Sequence, residues 1–114
     1  MSQLTLRQLT PELFVAPQLT PEAMAEAASA GFKSVVNNRP DFEHGPGQPT
    51  NAAIEAAARA AGLEYRFLPV DGGYQSPEEI ERMAALLAEL PRPLLAFCRS
   101  GARSTRLITA ALSP

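Results

Sequence analysis

Four consecutive apolar residues, Leu94-Leu-Ala-Phe97, run directly into the chain's one cysteine, Cys98. A strand with one wet face alternates polar and apolar residues, and this one does not. Both of its faces must be covered, which places it inside a layered fold. Phe32–Asn37, with Val35 and Val36 at its centre, reads as a second strand. Leu63–Val70, with the β-favouring Tyr65, Phe67 and Val70, reads as a third. The covering layers come from three alanine-rich stretches with helix punctuation. Thr20 as N-cap and Pro21 at the first helical position open residues 21–30, and Gly31 closes them. Thr50 or Asn51 caps residues 52–61, which end at Gly62. Ser76 and Glu79 form a capping box around Pro77, opening 77–90, with Ile80, Met83, Ala84 and Leu87 on one face. Residues 4–7 and 12–15, split by Thr10-Pro11, read as a small hairpin or edge strands.

Strands alternating with helices predict an α/β fold: a single domain over residues 1–114, with a mostly parallel central sheet flanked by helices. Only ten residues follow Ser104, so the last helix has two to three turns and is short for covering a face by itself. Ligands of such sheets bind beyond the C-terminal strand ends. Residues 38–48, 71–75 and 98–103 are the segments expected there.

Composition removes several classes of function. The net charge is −2 with no basic run, which argues against nucleic acid as a partner. No apolar stretch approaches the roughly 20 residues that span a bilayer, and Met1–Ala16 has no signal-peptide core. One cysteine excludes an internal disulfide, and one histidine, His44, excludes a Cys/His zinc cluster. The expectation is a cytoplasmic domain with no metal and no organic cofactor.

The chemistry concentrates in Cys98-Arg-Ser-Gly-Ala-Arg-Ser104, where a buried strand ends, a tight loop turns at Gly101 and a helix begins near Arg103 or Ser104. The N–H groups of Arg99, Ser100, Gly101 and Ala102 can converge into an anion cradle, and the helix N-terminus adds positive potential. Arg103 can grip an oxyanion bidentately. The same field favours the Cys98 thiolate, and Ser104 can hydrogen-bond the sulfur. Arg39 and Asp41 border the same strand ends, as a pair or with Arg39 on the loop or substrate. Asn37 and Asn38 suit bracing of nearby loops.

The loop resembles the active-site loops of cysteine-dependent protein phosphatases, including the dual-specificity branch, and of rhodanese sulfurtransferases. The wider chain resembles the phosphatase-like domain of beta-lactamase-hydrolase-like proteins, a bacterial family. The resemblance rests on Phe14-Val-Ala-Pro-Gln18, Gly31-Phe-Lys-Ser-Val-Val-Asn-Asn-Arg-Pro-Asp41, Pro46-Gly-Gln-Pro49 and Ala57-Ala-Arg-Ala-Ala-Gly62. It implies a cysteine-phosphatase-like fold. It also implies a Cys98 nucleophile, and Asp71 as general acid from its place before the capped helix. Asp71-Gly-Gly is equally a common turn sequence.

Two departures stand out. Arg103 follows Cys98 after four residues, where cysteine phosphatases have five, and Phe97 replaces the usual preceding histidine. A shorter loop suits a single sulfur better than a tetrahedral phosphoryl group. Three functions therefore compete: a phosphatase-like hydrolase passing through a Cys98 thiophosphate, a rhodanese-type sulfurtransferase carrying a Cys98 persulfide, and a retired anion- or partner-binding module. The expected ligand is a small anion, either a phosphate ester or a sulfane-sulfur donor. The residues leave the oligomeric state open.

Overall fold

The computed structural model describes residues 4–113. Two short strands, β1 (Arg7–Thr10) and β2 (Leu13–Ala16), form an antiparallel hairpin. Then come α1 (Glu22–Ser29), β3 (Ser34–Asn37), α2 (Asn51–Ala60), β4 (Glu64–Phe67), α3 (Pro77–Glu89), β5 (Leu94–Phe97) and α4 (Ala102–Leu112). The sheet order is β1-β2-β5-β3-β4, and every pair except β1-β2 is parallel. The strand expected at 4–7 lies instead at 7–10, because the tight turn falls at Pro11-Glu12 and sets the pairing of Arg7 with Val15.

β5 is the central strand, with Leu94–Phe97 in register with Leu13–Ala16 on one side and Ser34–Asn37 on the other. Its alternate side chains feed two cores. Leu95 and Phe97 join Val35, Met24, Ile54, Ala58 and Tyr65 beneath α1 and α2. Leu94 and Ala96 join Val36, Met83, Leu87, Leu107 and Ile108 beneath α3 and α4. The unbroken apolar run is thus explained by burial on both faces. The last helix has 11 residues, longer than α1 or α2, and shares its face of the sheet with α3.

The expected caps of α2 and α3 are present. Thr50 Oγ1 accepts from Ala53 N–H, and the Ser76/Glu79 box is closed in both directions. The expected Thr20 cap is not. Its side chain makes no capping bond, and its carbonyl instead accepts Ala23 N–H in a turn before α1. Pro21 therefore occupies the cap position rather than the first helical one. β4 is shorter than expected because Pro69 has no N–H to give the ladder. Its flanking residues still bond to β3, Leu68 N–H to Asn37 O and Val70 N–H to Asn38 O. That zipper brings residue 71 to the same end of the sheet as Cys98.

Candidate active site

The loop from β5 to α4 is anchored by backbone on both sides. Cys98 N–H donates to Ala16 O, and Arg99 O accepts from Gln18 N–H at 3.2 Å. Gly101 ends the loop at φ +93°, a left-handed conformation that suits glycine, and α4 starts one residue later. A Cβ here would lie 3.5 Å from the Ala16 backbone, so the turn is close as well as left-handed.

The loop folds around the sulfur. Gly101 N–H donates to Cys98 Sγ at 3.1 Å. Burial by itself pushes the thiol pKa up. The backbone N–H and hydroxyl of Ser104, with the amides of Gly101 and Ser100, outweigh it and hold the pKa below the ordinary 9.0. Donors aimed at a sulfur favour its anion, the form that attacks electrophiles. Ser104 Oγ–H also reaches Asn38 Oδ1 at 2.8 Å. Its single proton is thus committed to Asn38 in this structure.

Arg103 lies almost wholly buried. Its Nη1 donates to Val70 O at 3.1 Å, and its Nη atoms meet the Glu43 carboxylate at 3.1 Å. Among the described residues, Nε is buried without a hydrogen-bond partner. Gly72 packs tightly against this guanidinium: a Cβ there would lie 3.0 Å from Nη2 and would push it aside by a few tenths of an ångström. Arg106 bonds the same rim loop, with Nη2 on Gly72 O at 2.7 Å.

Asp71 directly follows Val70, so the structure carries it to the rim. Its side chain is turned onto its own loop, Oδ1 accepting Gly73 N–H at 2.6 Å. Arg99, Ser100 and Ala102 are exposed on the loop, with Ser100 Oγ accepting Ala102 N–H at 3.4 Å. The structure therefore brings together Cys98, Ser104, Arg103 and the Asp71 loop.

Arg39 does not form the expected pair with Asp41, whose carboxylate accepts Asn51 N–H at the start of α2. Its Nε donates to Glu43 at 2.8 Å and its Nη1 to Gln18 at 3.0 Å. Glu43 thus lies between two arginines, and the sequence reading did not single it out. The available signal was its spacing of four residues after Arg39, in a loop leaving a C-terminal strand end. Burial would raise the Glu43 pKa, but the hydrogen bonds and charges of Arg103 and Arg39 bring it below its ordinary 4.5.

A depressed carboxyl pKa contributes stability that is fully present above the unfolded value and is lost as pH falls through the folded one. Wild type should therefore exceed Glu43→Gln in thermal stability at pH 7. The gap should close as pH drops below about 4.5. Melting curves from pH 7 to pH 3 check this. A gap that persists unchanged at pH 3 would show that the carboxylate charge is not the stabilising element.

Three comparisons place this arrangement among known proteins. The family described as beta-lactamase hydrolase-like protein, phosphatase-like domain, matches residues 5–113. A beta-lactamase hydrolase-like protein of Agrobacterium fabrum is 41% identical over 80 residues, which are 70% of this chain and 18% of the relative. This chain therefore spans under a fifth of that protein's length. A candidate phosphatase of Neisseria meningitidis superposes with a TM-score of 0.82 at 31% identity, covering 95% of this chain and 74% of that one. The catalytic core of the yeast PP-IP phosphatase Siw14 shares the fold at a TM-score of 0.68 and 15% identity, covering 90% and 61%. The fold is that of the cysteine phosphatases.

Proposed function

Because the chain belongs to the beta-lactamase hydrolase-like phosphatase-like domain family, we propose that it is a cysteine-dependent hydrolase of small phosphate esters. The observation that carries this reading is Arg103 Nε, a buried donor with no partner, in a loop whose other donors converge on Cys98 Sγ. A buried, unpaired donor is costly in a folded protein, and a ligand oxyanion is the partner that would satisfy it.

In this mechanism the Cys98 thiolate attacks phosphorus, forming an S–P bond as the ester P–O bond breaks. Arg103 Nε and the loop amides of Ser100, Gly101 and Ala102 stabilise charge on the non-bridging oxygens. Asp71, protonated and released from Gly73 N–H, gives its proton to the leaving oxygen. Ser104 hydrogen-bonds the sulfur as it leaves. Water then attacks phosphorus, giving a proton to the Asp71 carboxylate as the S–P bond breaks, and inorganic phosphate departs from the regenerated Cys98 thiolate. Arg39 holds Glu43, and through it the Arg103 guanidinium, while Arg99 meets the outer part of the substrate.

The test is hydrolysis of an aryl phosphate, with intact-mass detection of a phosphoryl adduct on rapid acid quench. Turnover with an adduct that Cys98→Ser lacks is the expected result. No adduct and no turnover across alkyl and aryl monoesters would overturn the reading.

Sulfur transfer is the second reading, favoured by the four-residue spacing to Arg103, the Phe97 substitution and the Gly101 N–H placed on the sulfur itself. Cys98 would attack the sulfane sulfur of thiosulfate, breaking its S–S bond and releasing sulfite. A mass gain of one sulfur, discharged by cyanide, identifies that outcome.

A further inference from the structure

Asn38 is fully buried at the C-terminal end of β3, and each of its polar groups has a defined partner. Its N–H donates to Phe97 O at 2.9 Å, and its carbonyl accepts Val70 N–H at 3.1 Å. Its side-chain Nδ2 donates to Leu68 O at 3.0 Å, and its Oδ1 faces the Ser104 hydroxyl at 2.8 Å. The Leu68 carbonyl fixes which way the amide points, since a flipped Asn38 would set oxygen against oxygen. Oδ1 is therefore an acceptor, and the Ser104 hydroxyl must donate to it.

A serine hydroxyl has one proton. In this structure that proton is donated to Asn38 Oδ1, while the same hydroxyl is one of the groups that hold the Cys98 pKa down, so turning it from one to the other trades a donor between them. The Gly101 N–H stays on the sulfur whichever way the hydroxyl turns.

We propose that Asn38 is a positioning residue that competes with Cys98 for the Ser104 hydroxyl proton, so that the sulfur is only partly hydrogen-bonded while it attacks and fully so when it leaves. A thiolate relieved of one donor is more basic and a stronger nucleophile. Rotation of one hydroxyl, with no movement of the backbone, then supplies a donor to the departing sulfur. Asn38 also ties Val70, whose carbonyl holds Arg103, to the same strand end. One amide thus sets the nucleophile's donor and registers the segment that carries the anion-binding arginine.

The proposal rests on Cys98 acting as a thiolate, not on the identity of the group it attacks. Its test therefore uses no substrate. The protein has one cysteine, so thiolate absorbance and iodoacetamide alkylation report Cys98 alone. The charged groups on the segments around it are Arg99 of the loop, Arg103 and Arg106 of α4, Arg39 and Glu43 after β3 and Asp71 after β4. None of these is altered by the variants.

Asn38→Ala frees the hydroxyl for the sulfur. It should lower the thiolate midpoint by about half to one pH unit, the equivalent of one hydrogen bond. In a Ser104→Ala background the same substitution should leave the midpoint unchanged. Asn38→Ser, which keeps a small polar group in the buried site, provides the same comparison if the alanine variant does not fold. Equal shifts with and without the Ser104 hydroxyl would show that Asn38 acts through general packing, and would overturn the proposal. So would a folded Asn38→Ala protein whose midpoint does not move. Absence of phosphate-ester turnover in the wild type, with the expected midpoint pattern intact, would instead count against the hydrolase reading alone.

Discussion

Arg103→Ala is expected to lower aryl-phosphate turnover by about 10²–10³-fold, the usual loss on removing a donor to a developing oxyanion. Two edges of the guanidinium are committed, one to Val70 O and one to Glu43, and Nε remains. Arg103→Lys keeps the charge but has no planar fork, so it cannot hold those partners and still present a further donor. It should fall close to the alanine variant in turnover. A lysine variant with wild-type kcat would show that charge alone suffices and would remove Nε from the mechanism. Stability should fall less than activity. Glu43 keeps Arg39 after the substitution and its side chain is 29% exposed, so the expected cost is about 1–2 kcal/mol. Turnover and thermal melting measured on the same preparations separate the two effects.

The largest loss of stability is expected from Leu95→Ala. Leu95 is fully buried on the central strand, beneath α1 and α2. Truncations of this kind cost about 2–5 kcal/mol, and the value depends on how far the surroundings collapse. Here much of the facing helical surface is Ala23, Ala27 and Ala58, which have no side-chain rotamers with which to fill a void. Backbone pairing to both β2 and β3 holds the strand itself in place. The expected cost therefore lies in the upper half of that range, with a fall in Tm of more than about 10 °C. Chemical denaturation checks it. A loss under about 1 kcal/mol would show that the layer beneath α1 and α2 repacks.

Much of this protein could be read from order along the chain. Local rules sufficed for the capping box at Ser76 and for the central place of Leu94–Phe97. They also sufficed for the loop after Cys98, because each depends on residues a few positions apart. Thr20 failed for a local reason too: its carbonyl, not its side chain, took the nearby N–H. Arg39 failed for a different one. Asp41 was the near acidic neighbour, yet the start of α2 claimed its carboxylate. Glu43 was left to meet an arginine sixty residues away.

The sequence by itself therefore determined the family, the alternation of layers, and a cysteine placed between a buried strand and a helix N-terminus. The layers and the place of the cysteine are consequences of periodicity, capping and adjacency, and the family is legible from the resemblance of its motifs. Only the tertiary structure decided that Glu43 joins Arg39 to Arg103, that Arg103 keeps a buried donor unpaired, and that Asn38 contests the Ser104 proton. These pairings join strand ends far apart in sequence. They exist because the parallel sheet brings the C-terminal ends of β3, β4 and β5 to one edge, where buried polar groups must find partners among whatever arrives there.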